Sequence, residues 1–259
     1  MDEYLAFAKD QMLDFTDEDK ASVTRAMTRI EERMKDQGYI LPKLDPIVFV
    51  KSTMEEELGA DGVTHGTQIY LSEDELDFAN EAWDLASESF TELVAHEIFH
   101  CITRSSPKFR SDVYKIIHFT VQDQEYELPP CVREYFISNP DVEHHNAWAP
   151  FIIHGKETNC FTAFITSRHF ENEGETFFDT GITALIPTDG SDVYYTESDA
   201  ENFWDIFGRN TTYVIDPEEC MADNFSLLIS AGPAGKEDKP PGSPEILEAL
   251  DTFLKNGTQ

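Results

Sequence analysis

The chain has 259 residues, enough for one large domain or two small ones, and its 40% hydrophobic and 12% aromatic content excludes a disordered polymer. Its 51 Asp and Glu against 19 Lys and Arg give a formal charge of −32, which argues against nucleic acid or an anionic membrane as partner. That charge fits solubility, a saline environment or cationic partners, and says nothing about a reaction. The first residues, Met1-Asp2-Glu3-Tyr4-Leu5, lack the basic and apolar regions of a signal peptide, and no apolar run approaches a membrane span. Cys101, Cys131, Cys160 and Cys220 lie far apart with no Cys-x-x-Cys, so reduced thiols in a cytoplasmic protein are expected.

In chain order, Thr16-Asp17-Glu18-Asp19 opens a helix with a threonine cap and an acidic first turn, and Gly38 ends it. Ala26, Met27, Ile30 and Met34 give that helix an apolar stripe for the core. Pro46–Val50 reads as a buried strand, Gly62–Gly66 as a turn-rich loop and Thr67–Leu71 as a strand. The last of these has partial alternation and offers either an edge for an extended peptide or a plain core strand. Residues 74–87 are acidic and read as a solvated helix or loop.

Next comes Thr91-Glu92-Leu93-Val94-Ala95-His96-Glu97-Ile98-Phe99-His100-Cys101-Ile102, which contains His-Glu-x-x-His. Four residues of helix advance about 400°, so both imidazoles leave nearly one face, roughly 6 Å apart along the axis. Two neutral imidazoles so placed can hold zinc, with the glutamate beside the metal-bound water. The apolar flanks mark a buried helix, in which two histidines and a glutamate need partners. The plainer alternative makes His96 and His100 satisfied core histidines and pairs Glu97 with a basic residue.

Beyond Ser105-Ser106-Pro107, residues 108–119 read as helical, and Asn139-Pro140-Asp141 as a turn within the polar segment 134–145. From Trp148 the character changes to short apolar runs, 149–154, 160–166 and 181–186, with turns after the first and third. These predict an antiparallel β insertion at about 148–196, and a last helix runs from Ser243 to about Lys255. The fold class expected is α+β: residues 1–259 as one domain with a central His-Glu-x-x-His helix, a small mixed sheet and that insertion.

A catalytic zinc normally takes three protein ligands and keeps one position open for water. The spacing that puts a third histidine six residues past the second would place it at Ser106, so the third ligand must lie further along. Asp216-Pro217-Glu218-Glu219-Cys220-Met221-Ala222-Asp223 opens a second apolar helix, with Asp216 as cap and Pro217 in the first turn. Glu219 and Asp223, four apart, share a face, so one can bind metal while the other holds a ligand histidine. Alternatively, Glu219 closes a capping box with Asp216. Glu218 points about 100° away and is expected to stay solvated in the first turn.

His96-Glu97-Ile98-Phe99-His100 followed by Glu219-x-x-Ala222-Asp223 resembles the gluzincin zinc metallopeptidases, the clan of thermolysin-like, CAAX-type and anthrax-lethal-factor-like enzymes. The resemblance covers two motifs on two helices, and the gap of more than a hundred residues between them is long for the clan. It implies a zincin fold, Zn²⁺ bound by His96, His100 and Glu219, Glu97 as general base, and Asp223 behind a ligand. Peptide or protein would be the substrate, with basic sequences favoured by the acidic chain. A tetrahedral oxyanion needs a donor besides the metal, for which Tyr213 is the first candidate and His145, with His144 beside it, the second. His65, His118, His154 and His169 read as structural or exposed. The rival readings are a non-catalytic zincin-like domain with structural zinc, serving as an acidic protein-binding module, and an interaction module without metal.

Overall fold

The computed structural model describes residues 2–172, 174–236 and 240–257. Expected as one domain with a β insertion, the chain divides into two compact units. The first comprises residues 1–110, 224–240 and 247–259, and the second residues 111–223 with 241–246. Both mix helices with a small sheet, so the fold class is α+β.

The first unit begins with α1 (Asp2–Gln11), β1 (Met12–Leu13) and α2 (Asp17–Gln37). It continues through β2 (Val48–Ser52), β3 (Gly62–His65), β4 (Gln68–Ser72), α3 (Glu73–Glu81) and α4 (Trp83–Ser105). Helix α2 starts and stops where its sequence says. Thr16 Oγ1 accepts the Asp19 N–H at 3.0 Å, Asp19 Oδ2 accepts the Thr16 N–H at 2.8 Å, and Gly38 ends the helix at φ +72°. Its Ala26 and Ile30 are buried, as are Leu76 and Ala79 of α3 and Phe90 and Val94 of α4. The acidic stretch 74–87 is therefore helical on both sides of Ala82, with an apolar side in the core.

The four strands form a mixed sheet in the order β1-β2-β4-β3, with β2 parallel to β4 and the other pairs antiparallel. One expectation changes here, and an open one is decided. The stretch 62–66 is not a plain loop: Gly62–His65 pairs with Gln68–Leu71, and the chain turns at Gly66 and Thr67. Of the two readings of Thr67–Leu71 the plain core strand holds: β4 is internal, with a neighbour on each side, and β3 holds the edge. Four residues are too few for alternation to be read, yet Val63 and Thr64 are β-branched and both buried.

Asp19 ties this unit together. It is fully buried and accepts from Asn80 Nδ2 at 2.7 Å and from buried Lys51 Nζ at 3.2 Å, besides the Thr16 N–H. Burial alone would raise its pKa, but the donors of Thr16, Asn80 and Lys51 together hold it below the usual carboxylate value. A lowered folded pKa means stability that is present above the unfolded value of about 3.9 and lost as pH falls through the folded one. Lys51→Ala leaves this carboxylate buried without its cation and should cost about 3–5 kcal/mol, read by urea unfolding at neutral pH. A cost under 1 kcal/mol would show that the ion pair is dispensable.

The chain continues through α5 (Pro107–Val113), a 3₁₀ turn at Tyr114–Ile117, β5 (Thr120–Val121) and α6 (Pro130–Arg133). Then follow β6 (Ala147–Ile153), β7 (Lys156–Thr166), α7 (Phe177–Thr180), β8 (Gly181–Pro187), α8 (Phe203–Phe207), α9 (Pro217–Ala231) and α10 (Pro244–Asn256). The helix expected over 108–119 breaks at Val113, and its 3₁₀ continuation ends at His118 with φ +65°. Strands β5-β6-β7-β8 form one antiparallel sheet in the second unit. The three apolar runs expected at 148–196 are its strands β6, β7 and β8, and β5 adds a strand before them. Strand β6 alternates buried and half-buried residues, and the β6–β7 turn uses His154 at φ +50° and Gly155 at φ +76°.

A core of Val132, Phe161, Ala163, Ile165, Ala184 and Ile186 gathers on the sheet, with Tyr126 stacked on Phe161 at 4.8 Å. A second cluster joins Phe119, Phe151, Phe203 and Phe207. Burial pushes the Cys160 thiol up to about 12. Among the described residues, no helix is long and apolar enough to cross a membrane.

Candidate metal centre

Helix α4 carries the paired histidines in its fourth and fifth turns. Phe90, Val94, Ala95, Ile98, Phe99, Cys101 and Ile102 are buried around them, the burial expected of an almost wholly apolar segment. His96 is half-buried and His100 fully buried, and their rings meet edge to face at 4.9 Å between centroids. The i,i+4 spacing has placed both imidazoles on one face, as the sequence predicts.

Glu97 is 2% exposed, and its Oε2 accepts from Thr64 Oγ1 at 2.7 Å. The partner is thus a hydroxyl on the edge strand β3 and not the basic residue of the plainer reading. Among the described residues, Oε1 accepts no hydrogen bond. Its space depends on Gly62, where a Cβ would stand 3.2 Å from Glu97 Oε1 and 3.1 Å from Leu93 Cδ1. Arg104, one turn past His100, donates to the Thr64 carbonyl at 2.8 Å and to the Gly66 carbonyl at 3.1 Å. The helix that carries Glu97 therefore also fixes the hairpin that holds it. Neither Thr64 nor Gly62 stood out in the sequence, since a contact across 33 residues leaves no periodic trace.

Helix α9 starts as its sequence predicts, with Pro217 in the first turn. Asp216 Oδ1 accepts the Glu218 N–H at 2.9 Å, and Oδ2 accepts from Thr162 Oγ1 at 3.0 Å. Glu219 is fully buried, and its Oε1 accepts from Asn139 Nδ2 at 2.7 Å. Glu218 departs from expectation: it is buried, 5% exposed, and its carboxylate accepts from the Tyr114 hydroxyl. The position is not solvated because the 3₁₀ turn after α5 carries the ring of Tyr114, itself fully buried, against it. Asp223 accepts from Thr211 Oγ1.

The two candidate oxyanion donors differ. Tyr213 is 40% exposed, and its hydroxyl oxygen accepts from Asn139 Nδ2 at 3.1 Å. Burial of the hydroxyl, then the negative charge of Glu219, raises its pKa, so it keeps its proton. His145 lies beside Phe136 and Phe161, with Nδ1 3.3 Å from the Thr162 carbonyl. A carbonyl only accepts, so Nδ1 carries the proton there, and burial lowers the pKa of the ring. Its Nδ1–H is thus spent on the sheet. His144 is exposed and sits 2.7 Å from Glu125. His65, His118, His154 and His169 are exposed, as expected.

Among the described residues, His96 and His100 of the first unit and Glu219 of the second are candidate ligands, each able to offer one atom to a metal. Two imidazoles and one carboxylate are the donor set that suits a catalytic zinc, with borderline-soft nitrogen ligands and a charge to offset the ion's own. Helix α9 runs unbroken from Pro217 to Ala231, and within the first unit Phe225 packs on Phe99 of α4 at 5.6 Å. Compared with protein-family models, with curated proteins and with solved structures, the chain gives no match.

Proposed function

We propose that the chain is a zinc-dependent peptidase of the gluzincin type, with a zincin-like arrangement of α4 and α9. The observation that carries this reading is a buried glutamate, anchored through one oxygen, on the same helix as two imidazoles that share a face. His96, His100 and Glu219 would hold the ion. Zinc, when bound, lowers the pKa of a coordinated water toward ~7 and polarises the scissile carbonyl. Glu97 would take the proton of the attacking water and pass it to the leaving amine. Thr64 holds one oxygen of that carboxylate still, which sets the direction of the other. Tyr213, protonated at neutral pH, would donate to the developing oxyanion.

A purely structural metal site has no need of Glu97, and this favours catalysis over a non-catalytic acidic binding module. The charge of −32 draws Lys- and Arg-rich peptides toward the protein through long-range attraction rather than a pocket. A mixed peptide library tests both points. Cleavage should stop on chelation and return with added zinc. The preference for basic peptides should shrink from low to physiological salt, as the screening length falls to ~8 Å. A zinc-replete protein that cleaves nothing would contradict the peptidase reading, and a salt-independent preference would contradict the electrostatic one.

A further inference from the structure

We infer that Asn139 is a positioning residue, whose side-chain amide orients Glu219 for metal and Tyr213 for substrate; this rests on Glu219 being the third ligand. The amide is fully engaged. Nδ2 donates to Glu219 Oε1 at 2.7 Å and to the Tyr213 hydroxyl oxygen at 3.1 Å, while Oδ1 accepts the Asp141 N–H at 2.9 Å. Two N–H donors and one carbonyl thus have three partners of matching kind. Turning the amide over would set its oxygen against the carboxylate and its NH₂ against an N–H, so a single orientation survives.

The loop that carries Asn139 is itself fixed. Pro140 biases the backbone of Asn139 toward extended conformations, and the Val142 N–H closes a turn on the Asn139 carbonyl at 3.1 Å. Just upstream, the Ile137 N–H donates to the Phe164 carbonyl at 2.9 Å, and Phe136 bridges Ile165. Strand β7 therefore sets the position of the amide. A neutral donor suits a ligand carboxylate well: it selects one orientation without cancelling the charge that attracts a cation. In its bond to Tyr213 the hydroxyl acts as acceptor, so the phenolic hydrogen takes no part in that bond.

The test compares wild type, Asn139→Asp, Asn139→Ala and Glu219→Ala as full chains. Zinc affinity is read by chelator competition, the metal's surroundings by the visible absorption of bound Co²⁺, and stability by melting of the metal-free protein. Asn139→Asp keeps the acceptor for the Asp141 N–H, and with it the turn, but loses both donors. Both Asn139 variants should bind zinc roughly 10- to 100-fold more weakly and change the Co²⁺ spectrum, beyond any early melting of the metal-free protein, since Asn139→Ala loses the turn acceptor and Asn139→Asp sets a carboxylate against Glu219. If they melt early but the folded fraction binds zinc as wild type does, Asn139 is only a loop brace and the inference falls. If Glu219→Ala loses zinc while Asn139→Asp keeps wild-type affinity and spectrum, this inference alone falls. Wild-type affinity in Glu219→Ala overturns the ligand assignment and the role of Asn139 together.

Discussion

Glu97→Gln should lower peptide hydrolysis by a factor on the order of 10² to 10⁴ while zinc content and melting temperature stay at wild-type values. The prediction depends on how Glu97 is held. Thr64 Oγ1 donates to Oε2, and a glutamine oxygen can accept that same bond, so the side chain need not move. The substituted side chain has the same length and nearly the same volume, so the pocket beside Gly62 still accommodates it. What disappears is the second oxygen as proton acceptor, replaced by an NH₂ that can only donate. Turnover with zinc-saturated protein checks this, and near wild-type turnover would show that another group is the base.

His100→Ala should abolish zinc binding and, with it, the stabilisation that zinc confers. At a zinc concentration 100-fold above Kd, a ligand that binds only the folded chain adds about 2.7 kcal/mol. For a chain of this size that corresponds to a rise in melting temperature of roughly 5–10 °C. His100 is fully buried, edge to face with His96, so its loss removes a ligand and opens a cavity beside Phe99. His96→Ala should also lose the zinc-dependent rise, with less harm to the metal-free protein, because His96 is half-buried. Melting curves with and without zinc decide; an undiminished zinc shift in His100→Ala would place the metal elsewhere.

Features written in consecutive residues were legible in the sequence. Thr16 and Gly38 bound α2, Asp216 and Pro217 start α9, and the apolar runs after Trp148 become β6, β7 and β8. The same is true of the shared face of His96 and His100. Partners supplied by distant parts of the chain were not legible. Thr64 lies 33 residues from Glu97 and Asn139 lies 80 from Glu219, and neither separation leaves a pattern in a window of helix or strand. Glu218 was misjudged for that reason: local chemistry favours a solvated acid in a first turn, but Tyr114, 104 residues away, buries it. Whether β4 is an edge or a core strand stayed open in the sequence, because β3 is too short to alternate visibly and read as a loop.

Anomalous scattering measured on either side of the zinc absorption edge, from crystals grown with zinc and without chelator, tests the central claim most directly. The account predicts one peak per chain, about 2.0–2.2 Å from a ring nitrogen of His96, a ring nitrogen of His100 and a carboxylate oxygen of Glu219, with a fourth position open. No peak there, or a zinc ion held without His96 and His100, would contradict it.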